Sequence, residues 1–137
     1  MKNIIWFIIG IVIVGLSVGF YVYNKPVADI DDVSHDIEIT ASALFDKFEV
    51  DEAAANSMYL DKVILVSGSI SSITGIGTNE ASVTLETGSP LFGVSCSIDS
   101  ENISSINDLK VGDHVKIKGW CTGMLMDVVL NRCTIVE

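Results

Sequence analysis

Residues Ile4 to Tyr23 form 20 consecutive positions without a charge, and this run constrains the chain more than any other feature. As an α-helix it would span about 30 Å, the thickness of a bilayer's hydrocarbon core. Its six Ile, four Val, two Phe and one Leu together favour insertion by about 4 to 8 kcal/mol. Trp6 lies near one end, with Tyr21 and Tyr23 at the other, where aromatic rings settle among headgroups. The pattern predicts a short N-terminal head over residues 1–3 and a transmembrane helix over 4–23. A cleaved signal peptide fits less well. The run is longer than a signal's apolar core, and no small-x-small cleavage site follows it. The first cysteine is Cys96, so the run has no lipid-attachment cysteine behind it.

Lys2 and Lys25 flank the run, and so balanced a pair of positive charges gives little orientation. A three-residue head is simplest to leave in the cytoplasm while the longer part crosses. The expectation is a single-pass protein of the cell (inner) membrane, with its domain on the periplasmic or extracytoplasmic side.

Beyond Lys25 the chain carries six Lys/Arg and all 18 Asp/Glu, a net charge of 6 − 18 = −12. Nucleic-acid backbones are held by neutralising phosphates with cations, and this balance disfavours such a partner. Residues 24–39 read as an acidic linker. Pro26 stops the helix, having no N–H to continue it, and Asp29, Asp31, Asp32 and Asp36 follow. A calcium loop starting at Asp29 would need Gly at its sixth position and Glu at its twelfth; Ser34 and Thr40 stand there.

Residues 40–137 read as one domain. Thr40 is a suitable N-cap for a helix to about Leu60, kinked near Val50-Asp51, with Leu44, Phe45 and Phe48 on one face. The period then changes to two. Val63 to Ile73 is a β-branched run with Gly68 as a bulge or coil point. Ala81, Val83 and Leu85 form a second strand, and Phe92, Val94, Cys96 and Ile98 a third, with Phe92 assigned to the barrel interior. A short helical stretch, Ile103 to Leu109, precedes a fourth strand through Val115 and Ile117 and a fifth over Asp127 to Val136. The fold class is mostly β: a five-stranded Greek-key barrel of OB type with an N-terminal helix, preceded by one transmembrane helix.

The run from Leu44 to Asn56, then Tyr59, Lys62 and Val66-Ser67-Gly68, resembles the tRNA_anti-like family of small bacterial OB-fold proteins, often exported or lipid-anchored. Val115 to Gly119, Asp127 to Leu130 and Cys133 to Val136 fit the same family. The resemblance covers roughly Thr40 to Glu137, with the spanning helix as the departure. The family name implies kinship with anticodon-binding domains, a likeness of fold rather than of function, and it carries no site residues over.

An OB-fold that binds single strands does so with aromatic platforms and a basic groove. The polar faces of the second and third strands offer Ser82, Thr84, Glu86, Gly93, Ser95 and Ser97 instead. Lys116, Lys118 and Trp120 alternate away from Val115 and Ile117, and with Arg132 they form the candidate binding face. The same pattern fits a solvated edge. Cys96, Cys121 and Cys133 lack zinc spacing, and His35 and His114 have no ligand neighbours in sequence. One disulfide is expected, joining Cys133 to either Cys96 or Cys121, since disulfides persist outside the cytosol. Gly119-Trp120-Cys121-Thr122-Gly123 spells a nucleophile elbow, but that motif belongs between a strand and a long helix. Gly15 and Gly19 match the small-residue pattern of membrane dimers. No catalytic, cofactor-binding or metal-binding set emerges. The expected function is a membrane-anchored binding or interaction module for a protein or small ligand; the alternative is a single-stranded oligonucleotide-binding protein, suggested by fold analogy.

Overall fold

A computed structural model of the chain describes residues 2–23, 34–35 and 37–136. The first element is α1 (Lys2–Tyr23), a helix of 22 residues. Among the described residues no helix is long and apolar enough to cross a membrane. Most of the acidic linker lies outside the described residues. Its end, however, is β1 (Ile37–Thr40), a strand pairing in parallel with Ile64 to Ser67. Sequence alternation missed it because four residues, Ile-Glu-Ile-Thr, are too few to establish a period.

Five longer strands follow: β2 (Val63–Thr74), β3 (Glu80–Leu85), β4 (Val94–Asp99), β5 (His114–Met124) and β6 (Val128–Ile135). Their order is β2-β3-β4-β6-β5, and β5 pairs again with β2. The sheet therefore closes into a five-stranded barrel, as the OB-type topology requires. β4 and β6 run in parallel, and the other barrel pairings are antiparallel. A single-turn 3-10 helix (Ile103–Ile106) lies between β4 and β5 and drives Ile106 into the core.

β2 belongs to two halves of the barrel. Val63 to Ser69 pair with β5, and Ile70 to Thr74 with β3. The register shifts between Ile70 and Ser72, not at Gly68 as expected. Gly68 instead makes room for a helix. A Cβ there would stand 3.1 Å from the Ala41 Cβ and 3.4 Å from that of Leu85, so the missing side chain lets the start of the helical passage lie close to the strand.

The helical passage is two helices, α2 (Ala41–Val50) and α3 (Glu52–Tyr59). Asp51 is the break. Its backbone N–H donates to the Lys47 carbonyl at 3.1 Å, ending α2, while its Oδ1 accepts from the Ala54 N–H at 3.0 Å, starting α3. One residue with an extended backbone thus satisfies orphan groups of both helices. Thr40 Oγ1 accepts from the Ala43 N–H as the N-cap of α2. Leu44, Phe45, Phe48, Ala55 and Tyr59 turn into the barrel core with Ile64, Val66, Val83, Leu85, Ile117 and Leu130. Phe48 and Tyr59 rings meet at 6.1 Å between centroids, within the range of favourable aromatic pairs.

Phe92 does not join this core. It lies in the loop before β4 and is 38% exposed. Alternation put it inside, but the strand begins only at Val94, so the phase does not extend back to it.

β6 carries one residue more than β5 between the pairs Lys118↔Thr134 and Trp120↔Asn131. Arg132, in this bulge, has φ 53°. The bulge faces Gly119, where a Cβ would lie 2.6 Å from Cys133 Sγ and 3.2 Å from the Leu130 Cβ. The thiol occupies the space that a side chain would fill. Gly119→Ala is therefore expected to destabilise the domain by about 1–3 kcal/mol through overpacking, with Cys133→Ala restoring part of the loss. Denaturant unfolding of both variants and of the pair checks this; additive effects in the pair would contradict it.

Candidate binding face of the barrel

The outer face of β3 and β4 follows from strict alternation. Ala81, Val83, Leu85, Val94, Cys96 and Ile98 are buried, and Ser82, Thr84, Ser95 and Ser97 are left half-buried on the outside. Ser82 lies opposite Ser97, and Thr84 opposite Ser95. The Ser82 and Ser95 hydroxyls are 3.1 Å apart in a hydrogen bond. Ser71, on β2, donates to the Thr84 carbonyl at 3.1 Å. The result is a small-hydroxyl surface with neither a cation nor an aromatic ring on these two strands. At one end Glu80 and Asp99 stand directly opposite each other and exposed, an arrangement that repels anions. At the other end a cleft of about 290 Å³ is lined by Ser71, Thr84, Glu86, Phe92, Gly93 and Asp127, among others. Asp127 Oδ1 accepts from the Gly93 N–H at 2.8 Å, tying the β5–β6 hairpin to the start of β4.

The four residues expected to form a basic face lie on β5 and β6, the last of them reaching toward the end of β4. Lys116 is exposed but donates to Glu38 Oε1 at 2.8 Å, a partner supplied by β1. That hydrogen bond, and then the lysine charge, hold the Glu38 carboxyl below the usual carboxylate range. Lys118 is buried, at 8% exposure, beside Thr134, with which it pairs across β5 and β6. Trp120 is half-buried, and its Nε1 is enclosed without a hydrogen-bond partner among the described residues. Arg132 stands 3.9 Å from Asp99. The strand does place Lys116, Lys118 and Trp120 on one side, but it does not assemble them into an open cationic platform. The engagement of Lys116 was hidden in the sequence because its partner strand fell in the stretch read as linker.

The cysteines are three buried free thiols. Cys121 lies inside β5, so the elbow-like spelling around it is extended strand, and burial pushes its thiol pKa up. A neutral thiol in the core is a poor nucleophile. Among the described residues no group of three or more His, Cys, Asp or Glu could hold a metal ion. Cys96 and Cys133 are neighbours across β4 and β6. Burial first, and then the hydrogen bond with Cys96, push the Cys133 pKa well above the thiol range. Cys121 pairs with Leu130, three positions from Cys133.

A closed five-stranded barrel of this order, with a polar outer face on its second and third strands, is an OB-fold. The chain belongs to the tRNA_anti-like family, whose model matches residues 1–135. The match thus includes the N-terminal helix, which the resemblance over residues 40–137 had set apart. The fold is similar to that of a lipoprotein from Klebsiella pneumoniae subsp. pneumoniae named for a proposed nucleic acid-binding role. There the TM-score is 0.60 at 22% identity, covering 74% of this chain and 92% of the other. A protein from Leishmania major Friedlin, named as a proposed aspartyl-tRNA synthetase, matches with a TM-score of 0.51 at 14% identity. That match covers 89% of this chain and 25% of the other. No curated protein matches. At these identities the structural likeness establishes the fold.

The arrangement of thiols bears on the expected cross-link. We propose that, when a disulfide-bearing oxidant accepts two electrons and two protons from this chain, the bond formed is Cys96–Cys133. Peptide mapping of the oxidised protein under non-reducing conditions is expected to recover that pair with Cys121 reduced. A link to Cys121, or three reduced thiols, would contradict it.

Proposed function

We propose that this chain is a membrane-anchored OB-fold module that binds a protein or small ligand outside the cytoplasm and performs no chemistry of its own. The observation that carries this reading is the β3–β4 face. Its hydroxyls can hydrogen-bond an uncharged polar group, and the adjoining cleft is near the lower size limit of small-ligand sites. Phosphate-rich strands need cations and stacking surfaces there, and this face supplies Ser82, Thr84, Ser95 and Ser97 between Glu80, Asp99 and Glu86.

The anchor rests on α1. Its 22 residues would extend about 33 Å, and Ile4 to Tyr23 carry no charge. The family match runs through it, and one structural neighbour is named as a lipoprotein, which suits a family that works at membranes. An anchor confines the domain near the bilayer and so raises its effective concentration for membrane-bound partners.

Binding of single-stranded oligonucleotides is the second reading, favoured by the family name and by the Klebsiella neighbour's name. It would have to use Lys116, Lys118, Trp120 and Arg132, which lie on β5 and β6 rather than on the β3–β4 hydroxyl face.

One measurement separates these readings, and a second tests the anchor. Titration of the detergent-solubilised chain with a fluorescent single-stranded oligonucleotide at low salt is expected to show no saturable binding. Binding that weakens with salt and disappears in Trp120→Ala would establish the second reading instead. Alkaline carbonate extraction is expected to leave the full chain in the membrane pellet; release into the supernatant would remove the anchor.

A further inference from the structure

The barrel carries an uncharged apolar tip. Leu91 is 79% exposed, Leu125 91% and Met126 67%, with Phe92 beside them at 38%. These residues come from two separate loops, one before β4 and one between β5 and β6. The Gly93–Asp127 hydrogen bond at 2.8 Å, and that from the Val128 N–H to the Gly93 carbonyl at 3.1 Å, hold the loops together. Across Gly88-Ser89-Pro90-Leu91-Phe92-Gly93 and Gly123-Met124-Leu125-Met126-Asp127 the only charge is Asp127, whose carboxylate is engaged by the Gly93 N–H. Exposed Glu86 borders the cleft beside Leu91 and Phe92, so the uncharged surface is that of the two loop tips. The opposite end of the barrel carries Glu80, Asp99, Glu101, Asp108 and Asp113.

The strand registers show which end this is. Ile37 pairs with Ile64, and Ile64 with Gly119. Because β1 and β2 are parallel and β5 runs against them, moving back from Ile37 toward the N-terminus is moving forward along β5 from Gly119. Leu125 lies six residues further in that direction, about 20 Å at the usual strand rise. β1 therefore enters the barrel from the end at which the tip projects. Thirteen residues, 24–36, separate Tyr23 from Ile37. A segment of that length cannot span more than about 45 Å by any path, and it exceeds the distance to the tip.

We propose that the tip is a lipid-contacting surface: Leu91, Leu125 and Met126 enter the interfacial layer of the same bilayer that holds α1. The inference rests on the anchor reading above. The occupant is an uncharged or zwitterionic lipid surface, since a contact free of cations gains nothing from anionic headgroups while the acidic body is repelled by them. Contact at this end would also leave the β3–β4 face turned sideways, open to a partner in the plane of the membrane.

The test uses the full chain in phosphatidylcholine vesicles, with Trp6 and Trp120 replaced by Phe and a single tryptophan placed in turn as Leu125→Trp, Leu91→Trp, Val111→Trp and Val12→Trp. Quenching by lipids brominated high on the acyl chain reads depth. The expected result is loss of most emission at positions 125 and 91 as well as in the anchor at 12, with position 111 unaffected. Adding Met126→Asp to Leu91→Trp should abolish that quenching. If position 12 is quenched while 125 and 91 behave like 111, the anchor stands and the lipid contact is wrong, leaving the tip to a protein partner. If position 12 is also unquenched, the anchor reading has failed and takes this one with it. Circular dichroism of each variant must match the parent, and the two tip positions provide independent readings.

Discussion

The structure depends on one strand serving both halves of a single closed sheet. β2 pairs with β5 through Ser69 and with β3 from Ile70 onward, the β3 register shifting between Ile70 and Ser72. Twist alone does not close five strands; a strand that bends and changes partners does. The small residues along the middle of β2 make that possible. Gly68 lets Ala41 and the start of α2 lie against the bend, and the helices then seal the barrel with Leu44, Phe45 and Phe48. Removing any of these contacts would leave Val83, Leu85, Ile117 and Leu130 facing an unfilled interior, and cavities of that kind are costly.

The same closure arranges the surface. Alternation on β3 and β4 puts the apolar side chains inward and leaves hydroxyls outward, with Glu80 and Asp99 exposed at one end, so the face on which other OB-folds carry their ligands has no cation on these two strands. β1, added in parallel outside the barrel, brings Glu38 to Lys116. The bulge in β6 brings Arg132 toward Asp99 and seats the Cys133 thiol over Gly119. Two of the six cations beyond Lys25, Lys116 and Arg132, are thus held beside the domain's own carboxylates.

How much was legible in the sequence varied with the length of the pattern. The five barrel strands and the single turn of helix between the third and fourth were readable because apolar side chains alternate over six or more positions. The break at Asp51 was readable as a kink, since an acid before Glu52-Ala53-Ala54 is a helix start. β1 was not, because four residues give no period and its stability comes from pairing with β2, a contact distant in sequence. Phe92 was misplaced for the opposite reason: the alternation of β4 was extended past Ser89-Pro90, where a loop still runs. The neighbourhood of Cys96 and Cys133 depends on the parallel β4–β6 pairing and on one extra residue in β6, neither of which leaves a local mark. Exposure of Leu91, Leu125 and Met126 is likewise a property of loops in space, although their freedom from charge is visible in the sequence.

If β2 is the element on which closure rests, its two halves must open together. Native-state hydrogen exchange of the full chain, followed residue by residue along β2, tests this most directly. The amides of the 63–69 segment, paired with β5, and of the 72–74 segment, paired with β3, are expected to share one opening free energy, close to that of global unfolding. Exchange of the 63–69 segment through a separate, much cheaper opening would mean an open sheet rather than a closed barrel, and would contradict it.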